Sequence, residues 1–227
     1  MTATENYSKE RPRIGEGIFT LNDVAKILNL DKRQVKYWVS DYASAKLKSS
    51  KGHNYIFGYD DLKGINFYSL IEIFVFYSLK QKNIKAKDII EAHETLASIY
   101  KTPYPFAKAK ILTSGKDIIF NHENSLIKAD KSLQRYIKKV IHQFAEKIEF
   151  DKNNDIAQRY FPMGKKHAIV VDPKRQFGQP IIDGTSIKAT TIYSHFAGGD
   201  SVDFISKIYN IKKSQVNDAI AYYESAA

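Results

Sequence analysis

One local pattern occurs twice in the chain, at a constant offset of 181 residues. In each copy the spacing predicts a short helix, a tight turn and a second helix, because the shared residues fall on the turn and on core-facing positions. A chain with this pattern near both ends is therefore expected to build a small helical unit at each end. The front residues Lys26, Ile27, Asn29, Lys32, Gln34, Val35 and Tyr42 recur as Lys207, Ile208, Asn210, Lys213, Gln215, Val216 and Tyr223.

The front copy predicts a helix that contacts DNA. Thr20 with Asp23 marks the start of its first helix, and Asp31 with Gln34 marks the start of its second. The second helix has an apolar stripe at helical spacing, which we expect to be buried: Val35, Trp38, Val39 and Tyr42. The side chains left outside form a cationic face suited to phosphates and a major groove: Lys32, Arg33, Lys36 and Tyr37.

A small hairpin, or wing, is predicted after this second helix. Residues 49–53 are a turn signal between a basic strand and an aromatic run at residues 55–57. A wing beside a recognition helix typically touches the phosphate backbone. The wing residues that we expect in the DNA-binding surface are Lys51, His53, Asn54 and Tyr55.

The rear copy has an outward face that is close to neutral, so phosphate binding would gain little from it. We expect this unit to contact protein, either a second copy of the chain or another partner, and Tyr222 to be its exposed aromatic anchor. Its predicted core stripe includes Val202, Ile205 and Ile208. Deletion of residues 172–227 should then leave a fragment that still contacts DNA. The predicted partner-binding residues are Ser214, Asn217, Asp218 and Tyr222.

The formal net charge of +10 indicates a polyanionic partner. Between residues 24 and 54 there are seven Lys or Arg against two Asp, so the front unit carries much of the excess. Charge alone does not decide, because most lysines of a mildly basic protein only keep it solvated. A helix pair used purely for packing is the alternative for the front unit, and its cationic outer face argues against that reading.

The fold class expected is mainly α with small β elements. A nearly continuous apolar helix at residues 67–80 should be buried in the middle of the molecule, followed by a helix that ends near Tyr100 and carries His93 as a core histidine. Residues 102–106 should be extended because of their two prolines. Further predictions are a hairpin within 109–120, a helix at 131–148, strands at 148–150 and 168–171, and a helix at 189–197. The expected domains are a winged helix-turn-helix at 1–65, a mixed α and β middle at 66–171, and a small helix-turn-helix domain at 172–227.

Enzymatic function is not expected. The chain has no phosphate-binding glycine loop, no nucleophile elbow and no paired-histidine zinc motif, and its six histidines are scattered singly. It has no cysteine, so disulfides and thiolate metal sites are excluded. We expect no metal and no other cofactor. No stretch approaches the roughly 20 apolar residues of a membrane helix, and the polar N-terminus lacks a signal peptide, so we expect a cytoplasmic protein.

Residues 19–62 resemble the winged helix-turn-helix of MerR-type regulators. The resemblance rests on "FTLNDVAKILNLDKRQVKYWV" and "KGHNYIFGYDDL", which give two helices, an aromatic and tryptophan pair near the end of the second, and a wing leading to an aspartate and leucine. It implies a DNA-binding front. The wing arginine usual in that family is absent here, so a phosphate contact from the wing would come from Lys51, His53 or Asn54. The long dimerising coiled coil of that family is also not evident.

The rear resembles the short domain of VapB-like antitoxins, through "FGQPIIDGTSI" and "GGDSVDFISKIYNIKKSQVNDAIAYYE". The usual arginine after Gly-Thr in that domain is Ser186 here. Further segments extend the likeness to proteins that join a MerR-like front to this domain and whose neighbours are often PIN-like nucleases. The resemblance implies a homodimeric, antitoxin-like transcriptional autorepressor with double-stranded DNA and a PIN-like toxin as partners. The alternative is a stand-alone MerR-like regulator that senses a small ligand in the apolar middle.

Overall fold

The structure, a computed structural model, describes residues 15–43, 55–58, 63–108, 144 and 146–225. The predicted wing residues Lys51, His53 and Asn54 lie outside these ranges. So do the predicted hairpin within 109–120 and most of the helix predicted at 131–148. The described part of the chain is mainly helical with small antiparallel sheets, which confirms the expected fold class at this level.

The front of the molecule begins with a short strand and two helices. They are β1 (Phe19–Thr20), α1 (Leu21–Leu28) and α2 (Lys32–Tyr37), and a π-helical turn (Trp38–Ala43) continues α2 directly. Two further strands, β2 (Ile56–Phe57) and β3 (Gly64–Ile65), complete a three-stranded antiparallel sheet of order β1-β3-β2, in which β3 pairs with both β1 and β2. Helices α1 and α2 are called the front pair below.

The middle is built on two helices, α3 (Phe67–Lys80) and α4 (Ala86–Tyr100). Asn66 caps α3 by accepting a hydrogen bond from the Ser69 N–H, and ten of the fourteen residues of α3 are buried, as its continuous apolar sequence predicts. The segment predicted as extended at 102–106 is corrected: Pro105–Ala107 forms a 3-10 turn. Proline is compatible with the first position of a helix because it has no N–H to leave unsatisfied there.

The rear, described over residues 146–225, contains four short strands, three α-helices and a 3-10 turn (Gln176–Gly178). The strands are β4 (Ile148–Phe150), β5 (Ala157–Tyr160), β6 (Ile169–Val170) and β7 (Ile181–Ile182), joined as two antiparallel pairs, β4 with β5 and β6 with β7. The helices are α5 (Ala189–Ala197), α6 (Val202–Tyr209) and α7 (Lys213–Ser225). The predicted bounds of β4 and α5 are confirmed. Helices α6 and α7 are called the rear pair.

Two main hydrophobic cores and one small cluster, of Phe161, Val170 and Ile181, are present among the described residues. The larger core joins the front pair, α3, α4 and the β4–β5 sheet, and the smaller core lies between the β6–β7 sheet and helices α5 to α7. The front and the rear also touch directly, because the Ile18 N–H donates to the Phe177 carbonyl over 2.9 Å. No helix in the described part of the chain has the length and apolar character needed to span a bilayer.

Candidate nucleic-acid interface and partner surface

Two reciprocal caps and one turn residue set the geometry of the front pair. The Asp23 N–H donates to Thr20 Oγ1, and the Thr20 N–H donates to Asp23 Oδ2. At the start of α2, the Arg33 N–H donates to Asp31 Oδ1 over 2.7 Å and the Asp31 N–H donates to Gln34 Oε1. Both capping predictions are confirmed. Between the helices, Asn29 adopts the left-handed conformation (φ 50°, ψ 54°) that ends α1 and turns the chain into α2.

Helix α2 is fixed to the body of the molecule by its inner face. The predicted apolar stripe is buried. Val35 lies on α2 itself, and Trp38, Val39 and Tyr42 lie on the π-helical turn that continues it. The Tyr77 hydroxyl on α3 donates to the Gln34 carbonyl over 2.5 Å. One side of α2 is therefore held rigidly, which a helix needs if its other side is to read a DNA surface.

The opposite side of α2 presents the predicted cationic face. All four predicted side chains are exposed and lie within two turns of one helix: Lys32, Arg33, Lys36 and Tyr37. Arg33 reaches back to Asp31, with its Nε 3.3 Å from Oδ1, and the hydrogen bond from Arg33 lowers the pKa of the Asp31 carboxyl. Within the described residues the Lys32 and Lys36 ammonium groups have no carboxylate partner, so they are available to an outside anion.

The structure places Tyr55 in the core instead of the DNA-binding surface. Its side chain is 2% exposed and its hydroxyl donates to the Pro103 carbonyl. The ring lies edge-on to those of Trp38 and Tyr104. An aromatic residue that begins a strand next to α3 gains more from this burial than from solvent, so the prediction for Tyr55 is corrected.

The rear pair repeats the front pair element by element. Helix α6 has the bounds of α1 plus 181 residues, and α7 starts 181 residues after α2. Asn210 takes the same left-handed conformation as Asn29 (φ 50°, ψ 48°), and Ser201 caps α6 as Thr20 caps α1. The sequence repeat is thus a repeat of local structure, turn included.

Two of the four predicted partner-binding residues face solvent and two do not. Ser214 and Asn217 are exposed on α7. Asp218 instead ties α7 to the two residues just before β6: it accepts the Ala168 N–H over 2.8 Å, and its other oxygen lies 2.9 Å from His167 Nδ1. Tyr222 is only 4% exposed because α7 packs on both sides, so the exposed aromatic anchor predicted there is corrected.

An exposed apolar face on α6 was missed by the sequence reasoning. Phe204 and Ile208 stand one turn apart and are 49% and 48% exposed, although the periodicity assigned Ile208 to the core. The equivalent of Ile208 in the front pair is Ile27, which is 4% exposed. The sequence spacing is the same in both copies, so it could not show that Ile27 is covered by neighbouring elements while Ile208 is not.

A buried ionisable pair lies between α3, α4 and the 3-10 turn. Glu72 and His93 are both almost fully buried, with Glu72 Oε2 3.1 Å from His93 Nε2. Glu72 Oε1 accepts the Phe106 N–H over 2.9 Å and the Ala107 N–H over 3.3 Å. The 3.1 Å contact lacks hydrogen-bond geometry, so Glu72 Oε2 and both His93 nitrogens lack a directed hydrogen bond among the described residues. Burial raises the pKa of Glu72, against smaller lowering effects of His93 and the two N–H groups.

This pair lines a small pocket whose other walls are apolar or aromatic. They come from the π-helical turn after α2, from α3, from α4 and from the 3-10 turn, and include Trp38, Tyr42, Phe76, Ile90 and Phe106. The enclosed space is about 10 Å³, which is close to the room that one water molecule needs. The pocket therefore connects the middle of the molecule to the helix that carries the cationic face.

A polar cleft in the rear serves to join its two sheets. Arg159 on β5 holds Glu149 on β4 through two hydrogen bonds, of 3.2 and 2.6 Å, and donates to Asp183 at the turn after β7 over 2.9 Å. Hydrogen bonding to Glu149 raises the pKa of Arg159, which stays charged. Because Arg159 pairs with both Glu149 and Asp183, we assign this cleft a structural role: it holds the two sheets together.

Comparison with known proteins finds distant relatives. Residues 169–223 match a family described as "Protein of unknown function (DUF433)". A Mycobacterium tuberculosis (strain H37Rv) protein described as "Putative antitoxin VapB45" is 18% identical over 221 residues, which cover 89% of this chain and 92% of that protein. The crystal structure of Rv2018 from Mycobacterium tuberculosis has the same fold, with a TM-score of 0.70 and 16% identity over 93% of this chain and 99% of that one. The chain is thus related at a distance, over most of its length, to a protein named as an antitoxin.

Proposed function

We propose that this protein is a DNA-binding, antitoxin-type transcriptional regulator that acts in the cytoplasm, without catalytic activity or cofactor. The front pair would bind duplex DNA as a winged helix-turn-helix of the MerR type, and the rear would hold a PIN-like nuclease toxin. The observation that carries the proposal is the exposed cationic face on a doubly capped and rigidly held α2. The distant likeness to a protein named as an antitoxin supports the second half of it.

The role of α2 follows from electrostatics and geometry. Two lysines with no carboxylate partner within the described ranges, an arginine and a tyrosine project from less than two turns of helix, at a spacing that fits base edges and flanking phosphates. One such unit rarely gives specific affinity alone, so we expect a homodimer on a two-fold symmetric operator in the promoter of its own operon.

A mobility-shift titration with promoter DNA tests this role. The chain offers a matched pair of variants, because Lys213 is the rear equivalent of Lys32 but forms an ion pair with Asp203. Lys32→Ala and Lys36→Ala should each weaken binding by about 1–3 kcal/mol if the residue reads a base, and by less if it touches only phosphate. Lys213→Ala should bind as the parent does. Equal affinity of all four proteins would remove α2 from the interface.

The role of the rear rests on the apolar face of α6. An exposed Phe204 and Ile208 flanked by charged side chains match the apolar centre and polar rim of a protein interface, and Ser214 and Asn217 stand on the neighbouring helix of the pair. Co-expression with a PIN-like nuclease, the class of partner proposed here, tests the idea. The double variant Phe204→Ser, Ile208→Ser should fail to relieve the growth arrest that the nuclease causes, while it keeps DNA binding. Relief equal to that of the parent would exclude this face.

A second candidate function is a stand-alone regulator that senses a small ligand. The observation that favours it is the pocket of Glu72 and His93, where Glu72 Oε2 and both His93 nitrogens have no directed hydrogen bond within the described ranges and the walls include Trp38 and Tyr42. Its space of about 10 Å³ holds one water molecule at most, so this function requires the pocket to open around a ligand. A bound metabolite that co-purifies with the protein and changes its DNA affinity would support this function. A stoichiometric small protein partner would support the first.

A further inference from the structure

The segment after β6 has an unusual backbone. Gln176 and Phe177 are consecutive non-glycine residues in the left-handed region, with φ of 47° and 56°, and Gly178 follows with φ of 87°. L-residues with a β-carbon avoid this region, so each of the two costs free energy of folding. Such a run persists only where the surroundings hold it.

The surroundings do hold it. The Phe177 carbonyl accepts the Ile18 N–H, and turn hydrogen bonds run from the Gly178 N–H to the Arg175 carbonyl and from the Gln179 N–H to the Gln176 carbonyl. A β-carbon at position 178 would lie 2.4 Å from the Phe19 ring, so only glycine allows this close approach to β1. The segment is therefore anchored rigidly to the base of the front pair.

This anchored backbone presents a side chain that does not contribute to the core. The Phe177 ring is 67% exposed, more than any other large apolar side chain in the described ranges. Beside it Lys174 and Arg175 are also exposed. Arg175 donates to the Thr185 carbonyl, whereas the Lys174 ammonium has no partner among the described residues. A strained, exposed and pre-organised aromatic next to a lysine is a feature that folding alone does not explain.

We propose that Phe177 and Lys174 form a second contact to duplex DNA, with the ring against groove-facing sugar or base surface and the lysine on a phosphate. The proposal rests on the proposed DNA-binding function of the front pair. Phe177 is held next to Ile18, just before the N-terminal end of α1, and α2 follows the C-terminal end of the same helix, so the length of α1 separates the two contacts. Eight residues of helix span roughly 12 Å, which is about the width of one major groove.

The charge of the surroundings favours DNA over a protein partner. The exposed charged side chains of the segment are both cationic, and its one carboxylate, Asp172, lies 3.7 Å from Arg175 and accepts the Lys174 N–H. Apolar side chains beside lysine or arginine are the means by which proteins wedge into or cover a groove. The attachment to Ile18 and Phe19 would also hold the ring at a fixed position relative to the front pair.

Phe177→Gly gives a sharp test, because the variant removes the ring and the strain together. Its melting temperature should equal or exceed that of the parent, since glycine adopts this conformation without strain. Its affinity for promoter DNA should fall by roughly tenfold, the effect of losing one aromatic contact, with an unchanged salt dependence. Lys174→Ala should flatten the log–log salt slope by about 0.9. The control is Phe196→Ala, which removes another exposed ring and should leave DNA affinity unchanged.

Each outcome decides the matter. If Phe177→Gly binds DNA as the parent does while Lys36→Ala is impaired, the second contact is wrong and the function of the front pair stands. If neither variant differs from the parent, the proposed DNA-binding face is wrong as well. A lower melting temperature for Phe177→Gly would overturn the strain argument. Loss of a nuclease partner by Phe177→Gly, with DNA affinity intact, would make the ring a protein contact and overturn the proposal.

Discussion

Two asparagines at equivalent positions determine how both helix pairs turn. Asn29 and Asn210 have nearly identical left-handed backbones, and each ends the first helix of its pair. Asparagine tolerates this conformation better than other residues with a β-carbon, because its short polar side chain can hydrogen-bond locally. The repeat of one residue type at both sites therefore has a direct conformational cause.

We predict that alanine is unfavourable at both turns to a similar degree. Asn29→Ala and Asn210→Ala should each lower the free energy of unfolding by about 1–2 kcal/mol, whereas glycine at either position should cost far less. Urea titrations of the four variants measure this. If the alanine and glycine variants of either turn have the same free energy of unfolding, the left-handed conformation does not determine which residue that turn accepts.

Glu72 should make stability depend on pH. Its pKa is raised by burial, so its contribution to stability is fully present below the ordinary carboxyl pKa and is lost as pH rises through the raised value. Glu72→Gln can still accept the Phe106 and Ala107 N–H groups without a charge. We predict that the melting temperature of Glu72→Gln minus that of the parent increases as pH rises from 4 to 8. A constant or shrinking difference would show that His93 offsets the burial of the charge.

At the scale of elements, α2 is positioned by α3 through one tyrosine hydroxyl. Tyr77→Phe should lower the free energy of unfolding by about 1 kcal/mol, the usual net worth of a hydrogen bond, and should also weaken DNA binding. Tyr55→Phe is the matched control, because its hydroxyl also donates to a backbone carbonyl, but that carbonyl belongs to Pro103 after α4 and not to α2. It should cost similar stability without a change in DNA affinity. Weaker DNA binding by both variants would mean that general loosening, not α2, is responsible.

Local chemistry explains which elements could be predicted from sequence. The starts of α1 and α2 follow from capping residues three positions apart, and the bounds of α3, β4 and α5 follow from unbroken periodicity and flanking turn residues. The orientation of single side chains did not follow. Tyr222 and Tyr223 are adjacent on α7, and both find partners, since Tyr223 stacks on Tyr193 on α5 at 5.0 Å while Tyr222 is covered by the body of the protein.

The pairs that join distant elements were also beyond sequence reasoning. Glu72 and His93 meet across two helices, and neither position has a local signal that names its partner. The left-handed backbone of Phe177 could not be predicted either, because periodicity and turn statistics give no reason to expect a non-glycine residue in that conformation. Such features depend on how elements pack, which the sequence pattern of one element does not contain.

At the scale of the whole molecule, the rear is part of the support of the front. Phe19 packs against Gly178, and Ile18 donates to Phe177, so the sequence-based expectation for the deletion of residues 172–227 changes. We predict that a fragment ending at residue 171 unfolds at a lower temperature than the full chain and loses DNA affinity, because Phe19 is left uncovered. Circular dichroism melts and a mobility shift check this. A fragment with the stability and affinity of the full chain would restore two independent units.

The salt dependence of DNA binding tests the central claim most directly. If Lys32 and Lys36 each neutralise a phosphate, the log–log salt slope of the Lys32→Ala, Lys36→Ala double variant should be smaller than that of the parent by about 1.8, at 0.9 per contact. Lys213→Ala should keep the parental slope. A double variant whose slope equals that of the parent, or a parent that shows no salt-dependent binding to its promoter DNA, would contradict the assignment of α2 as the DNA-binding helix.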